Sequence, residues 1–303
     1  MPKYFAPGEL LRANALFNSG LYVSILLGLL MGGLLITEHD GGKKVAALLF
    51  VAALIGWTAS LFAPKAKANA PSLHIDWNIF TQSFRIFQFA FRAPGVIRPM
   101  TGIAFFYFTS TNITVLTPIY VRDALHGPGA AANLIMGLYA IGAGAGALSA
   151  SFLSKGRSGL GLSAFGIFAA TAVTIAAVCL TPIVAQEQAH ALDLFVRSRF
   201  GVALAVCLTL SATFMSLYIV PLQAAMQRRA PAETRSRIMA ASNMSNAAAA
   251  AAGSLFALVV TQTSVSSPQA FLIVAALQLL VLGYMTARRI NAPSGLHDDA
   301  LHQ

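Results

Sequence analysis

Eight long stretches of the chain are nearly free of charge, over approximately residues 13–36, 45–63, 100–121, 131–154, 159–184, 200–223, 238–262 and 269–287. Each approaches the roughly 20 residues with which an α-helix crosses about 30 Å of hydrocarbon. None alternates apolar and polar positions at a period of two, so helices rather than barrel strands satisfy the backbone in lipid. The pattern predicts an all-α membrane protein of about eight transmembrane helices.

Composition agrees, with 57% apolar residues and only 10% charged. A net charge of +10 would suit a nucleic-acid partner if it were gathered on one face, but Lys and Arg here stand between the apolar runs. With eight spans both termini share a side, and of the 20 Lys and Arg residues 15 fall there. That side is therefore expected to be the cytoplasm. Met1–Gly8 has no cleavable apolar core, so the first span is expected to direct its own insertion. Cys179 and Cys207 fall inside spans and read as small apolar fillers.

A connection of about 36 residues separates the second and third spans. Trp77, Phe80, Phe84, Phe87 and Phe91 recur in it every three or four residues, predicting one apolar face of an interfacial helix. Pro94, Gly95 and Pro99 are expected to break the chain ahead of the third span. A weak repeat is also present. Pro7-Gly8-Glu9 precedes a span carrying Asn14 and Asn18, and Pro231-Ala232-Glu233 precedes one carrying Asn243 and Asn246. Halves related by an axis along the membrane normal have this signature.

With six helices after the long connection, this organisation resembles the major facilitator superfamily. Residues 1–64 match the last two helices of its first half, 65–97 a cytoplasmic linker, 98–289 a complete six-helix second half and 290–303 a tail. Shorter phrases narrow the likeness: Tyr120-Val121-Arg122-Asp123-Ala124-Leu125, Leu217-Tyr218-Ile219-Val220-Pro221-Leu222-Gln223-Ala224, Gln227-Arg228-Arg229-Ala230-Pro231 and Arg237-Ile238-Met239-Ala240-Ala241-Ser242-Asn243. They resemble the lysophospholipid transporter and the transporter domain of acyltransferase-fused homologues. The resemblance implies a multi-pass protein of the bacterial inner membrane that moves lysophospholipids, with membrane lipids and a product-consuming phospholipid acyltransferase as partners. Two alternatives stay open: a small-solute or drug exporter of the same superfamily, and a non-transporting truncated remnant.

Moving an amphiphile needs neutral polar groups beside apolar walls. Asn14, Asn18, Thr109, Asn112, Thr114, Asn243 and Asn246 are the candidates for such a path. Gly142, Gly144 and Gly146, with Lys155 and Arg157 in the following loop, are candidates for gating or helix packing. Arg228, Arg229, Arg235 and Arg237 are candidates for head-group contact or anchoring. No Asp, Glu, Lys, Arg or His stands at the middle of any span. An enzyme is not expected. An acyltransferase of the fused kind needs an Asp five residues after a His, and no His here has one. Phosphate loops, zinc spacings and nucleophile elbows are missing too, so no cofactor or metal is expected.

Overall fold

The computed structural model describes residues 9–36, 39–62, 85, 87–88, 95–153, 160–186, 192–231 and 234–290. Among them lie eight long helices and one short one, with no strand. These are α1 (Leu10–Ile36), α2 (Gly41–Leu61), α3 (Ile97–Asp123), α4 (Gly129–Leu153), α5 (Leu160–Gln186), α6 (Leu192–Arg197), α7 (Arg199–Arg229), α8 (Arg235–Thr261) and α9 (Ser267–Ile290). Six of the long ones are apolar enough to cross a membrane. The other two, α1 and α3, are each 27 residues long. In α3 the run of Thr and Ser hydroxyls dilutes the hydropathy.

The packing is organised around α7. Residues 215–222 of this helix are buried without interruption. A helix apolar on every side belongs in the interior, and α7 touches α1, α3, α4 and α5. Beyond it, α8 lies on α3, α9 on α5, and α1 on α4. Close approach needs small residues where backbones meet. A Cβ at Gly166 of α5 would meet the Phe214 carbonyl oxygen of α7 at 2.6 Å, and one at Gly253 of α8 would meet that of Phe108 on α3 at 2.7 Å. By contrast α2 lies against α1 with almost all of its surface exposed.

Three features depart from the sequence reading. Helices outrun their apolar stretches, because the flanking charged residues continue the helix beyond the hydrocarbon; α7 ends at Arg229 and α8 begins at Arg235. Pro99 does not precede the third span but lies in the first turn of α3, where its missing N–H would have no intrahelical acceptor. The break falls instead at Gly95, whose φ of 76° only glycine adopts without strain. Finally, α6 was not anticipated. It is separated from α7 by Ser198, whose hydroxyl accepts the Gly201 N–H at 3.1 Å as an N-cap. Most of the aromatic connection, including Trp77, Phe80, Phe84 and Phe91, lies outside the described residues; Arg85, Phe87 and Gln88 are helical.

Candidate functional site: an amide seam on a glycine groove

Asn14 and Asn18 stand one turn apart on α1, and Gln223 and Gln227 one turn apart on α7. The two helices run antiparallel, so the lower number on one meets the higher on the other. Asn14 Nδ2 donates to Gln227 Oε1 at 3.1 Å, and Gln227 Nε2 donates back to Asn14 Oδ1 at 2.9 Å. One turn on, Asn18 Nδ2 donates to Gln223 Oε1 at 2.7 Å and to the Asn14 carbonyl at 2.8 Å. Asn14 and Asn18 are only 3% and 4% exposed. Buried amides in such a place are paired, because one left without a partner loses its hydrogen bonds to water and gains none in return.

Beneath this seam α4 runs between α1 and α7, and its glycines divide between the two neighbours. At Gly142 and Gly146 an added Cβ would collide with the carbonyl oxygens of Thr209 and Thr213 on α7. Gly137 and Gly144 turn towards Leu26 and Tyr22 of α1 at ordinary contact distance. Hydroxyls stitch both sides, Thr213 Oγ1 donating to the Gly142 carbonyl at 3.0 Å and Ser19 Oγ to that of Gly144 at 3.1 Å. The seam and the groove therefore form one contact surface between α1 and the bundle.

The polar residues of α3 and α8 are divided by burial. Thr109, Asn112 and Asn246 are buried, while Thr114 and Asn243 are exposed. Asn112 Nδ2 bonds back to the Phe108 carbonyl at 2.9 Å, and Thr114 Oγ1 to that of Ser110 at 2.9 Å. Thr109 Oγ1, Asn112 Oδ1 and Asn246 Oδ1 make no hydrogen bond among the described residues. Asn112 faces Gly253 on α8.

At the end where α1 begins, Arg229 Nη1 donates to the Gly95 carbonyl at 3.3 Å and Arg235 Nε to that of Ala230 at 3.3 Å. Arg229 thus ties the end of α7 to the turn before α3, and Arg235 ties the start of α8 to the end of α7. Arg228 and Arg237 are half-buried nearby. Lys155 and Arg157 lie outside the described residues.

Residues 99–298 match the family model of the Major Facilitator Superfamily. The chain belongs to this superfamily. It is therefore a multi-pass membrane transporter. No curated protein and no solved structure matches the chain. Sequence reasoning had singled out Asn14 and Asn18 but not their partners Gln223 and Gln227. The signal was the same four-residue spacing on both helices.

Proposed function

We propose that this transporter moves lysophospholipids across the bacterial inner membrane, with both termini cytoplasmic, by alternating access in which α1 parts from α7 and α4. In this reading α1 and α2 belong to the first half of the superfamily fold, and α3–α9 form its second half. The observation that carries it is the paired amide seam. Its bonds are neutral, number only a few, and are each worth on the order of 1 kcal/mol inside a membrane. A contact of that strength opens and closes within the few kcal/mol that separate interconverting states. The lipid assignment rests on the sequence phrases around Arg122, Gln223 and Arg237 and on spans with no ionisable group at their middle.

Uptake of radiolabelled lysophosphatidylethanolamine into spheroplasts of a strain lacking its own transporter tests the proposal. Expression of the chain, verified in the membrane, is expected to raise uptake above the empty-vector control. Uptake at the control level would remove the lipid assignment. Competition of that uptake by unlabelled small solutes would point to the solute exporter instead.

A further inference from the structure

Next to the contact of Gly142 with Thr209, α4 and α7 leave between them an apolar groove of about 310 Å³ on the outer face of the bundle. Leu134 and Leu138 form one wall, and Val202, Val206 and Leu210 the other. These walls can be reached from outside. Val202, Val206 and Leu210 are 45%, 49% and 39% exposed, and Leu134 and Leu138 are half-buried. The hydroxyl on the lining, that of Thr209, already donates to the Ala205 carbonyl of its own helix at 2.7 Å. What suits the groove is therefore hydrocarbon. From Val202 to Leu210 it follows about 12 Å of helix, most of the ~15 Å that one leaflet contributes to the membrane interior.

One end of the groove is built by α6. Phe195 is buried on the lining, and a Cβ at Gly201 would collide with the Phe195 carbonyl oxygen, so α6 folds back closely on the first turn of α7. The Ser198 cap holds the turn between them. Arg197 and Arg199, both exposed, therefore stand at the mouth, the first just after Phe195 and the second just before Val202. They belong to the end of the bundle that holds only five of the 20 Lys and Arg residues, so positive-inside anchoring does not account for them. Lys43 and Arg122 at the same end are held by Asp40 at 3.1 Å and Asp123 at 2.6 Å. Arg197 and Arg199 make no salt bridge among the described residues. With Asp193 of α6 also exposed, residues 192–199 carry two positive charges against one negative. The start of α7 adds the positive end of its helix dipole.

We propose that this groove holds one acyl chain of an anionic diacyl phospholipid from the leaflet at that end, with its phosphate at Arg197 and Arg199. An apolar slot with a basic mouth complements a molecule that is apolar along its length and negative at one end, and α6 sets the two at the depths of chain and head group. The lipid is a resident of the outer wall, apart from the α1 seam. The inference stands on the membrane fold alone, so it can be tested without transport. The full chain is reconstituted in phosphatidylcholine nanodiscs doped either with phosphatidylglycerol carrying a diazirine on one chain or with phosphatidylcholine carrying the same group, and crosslinks are mapped by mass spectrometry.

Phosphatidylglycerol crosslinks are expected to concentrate on residues 134–138 and 202–210, and to exceed those of the phosphatidylcholine probe there about fivefold, the effect of one net positive charge at a membrane surface. Arg197→Gln combined with Arg199→Gln should remove that preference. Asp193→Asn, which deletes the opposing charge, should raise it about fivefold further, an opposite change that a merely structural role of α6 would not produce. Val206→Trp should clear the groove of crosslinks while those on the exposed helix α2 persist. All four side chains are exposed, so the fold should survive, which thermal unfolding of each variant checks. Crosslinks no denser in the groove than on α2, equal labelling by the two probes, or a preference indifferent to the arginines would overturn the site. Chain-to-chain crosslinks joining residues 134–138 of one copy to 202–210 of another, in place of lipid adducts, would assign the groove to a second copy and overturn the lipid.

Discussion

Valine in place of Gly146 is expected to keep α4 and α7 from packing and to prevent recovery of a monodisperse protein from detergent. The reason is geometric. A Cβ at this position would lie far inside van der Waals contact with the Thr213 carbonyl oxygen, with the Thr213 carbonyl carbon and Cα both at 2.8 Å. Backbone on one helix meets backbone on the other, so no rotamer change relieves the clash and the helices must separate. Overpacking a close-packed interior costs about 1–3 kcal/mol when side chains can shift; here they cannot, and the cost should exceed that range. Separation would also break the Thr213 to Gly142 hydrogen bond and disturb Ala147 and Ala150, both fully buried. Alanine at Gly144 supplies the comparison, since its Cβ would meet only Tyr22 at 3.8 Å. Alanine at Gly283, with open space around it, supplies the control. Thermal unfolding followed by size-exclusion chromatography reads all three. A Gly146→Val protein as stable as the Gly144→Ala and Gly283→Ala proteins would mean that the α4–α7 approach is not the tight contact described.

That Gly142 and Gly146 differ from Gly144 in this way was not legible in the sequence, although the glycine-rich character of the helix was. Spacing says that positions 142 and 146 share a face and that 144 turns away. It does not say which neighbour each face meets. The spans were legible because lipid imposes one rule on every backbone group, and the charge-free stretches report it directly. Helix ends were less so, since Arg228, Arg229, Arg235 and Arg237 leave the hydrocarbon without leaving the helix. The short α6 left only the capping residue Ser198 as a trace.

The candidate site shows the same limit more sharply. Asparagines inside a span stand out because each needs a partner, but the partner is fixed by which helices touch. Gln223 and Gln227 are ordinary residues at the end of a helix until α1 lies against them. The hydroxyls of α3 have two uses that composition cannot separate. Thr114 satisfies itself on its own helix, whereas the Thr109 hydroxyl is fully buried without a hydrogen bond among the described residues.

The seam yields the second large expectation. Asn14→Leu leaves the Gln227 side chain buried with no reciprocal amide, and Gln227→Leu does the same to Asn14. Each single variant should therefore loosen α1, while the double variant, with apolar groups on both sides, should lie close to the parent protein. The coupling read from this cycle is expected at about 1–2 kcal/mol, a factor of roughly 5–30 in the ratio of open to closed seam. Cysteine at Ala15 reports that ratio directly, because Ala15 is fully buried beside Asn14 and becomes reachable only when α1 lifts. With Cys179 and Cys207 replaced by serine, maleimide should label Ala15→Cys slowly in the parent, several-fold faster in either single variant and slowly again in the double variant. Labelling that rises equally in all three variants would show that the amides merely fill space and that something else holds α1 down. If labelling follows the cycle, the proposed transport predicts that lysophospholipid uptake follows it too, because a seam that no longer closed would leave the carrier open at one end. Loss of uptake in Asn14→Leu with recovery in the double variant would tie the hydrogen bonds themselves to transport, and would separate a moving contact from a static one on the same two helices.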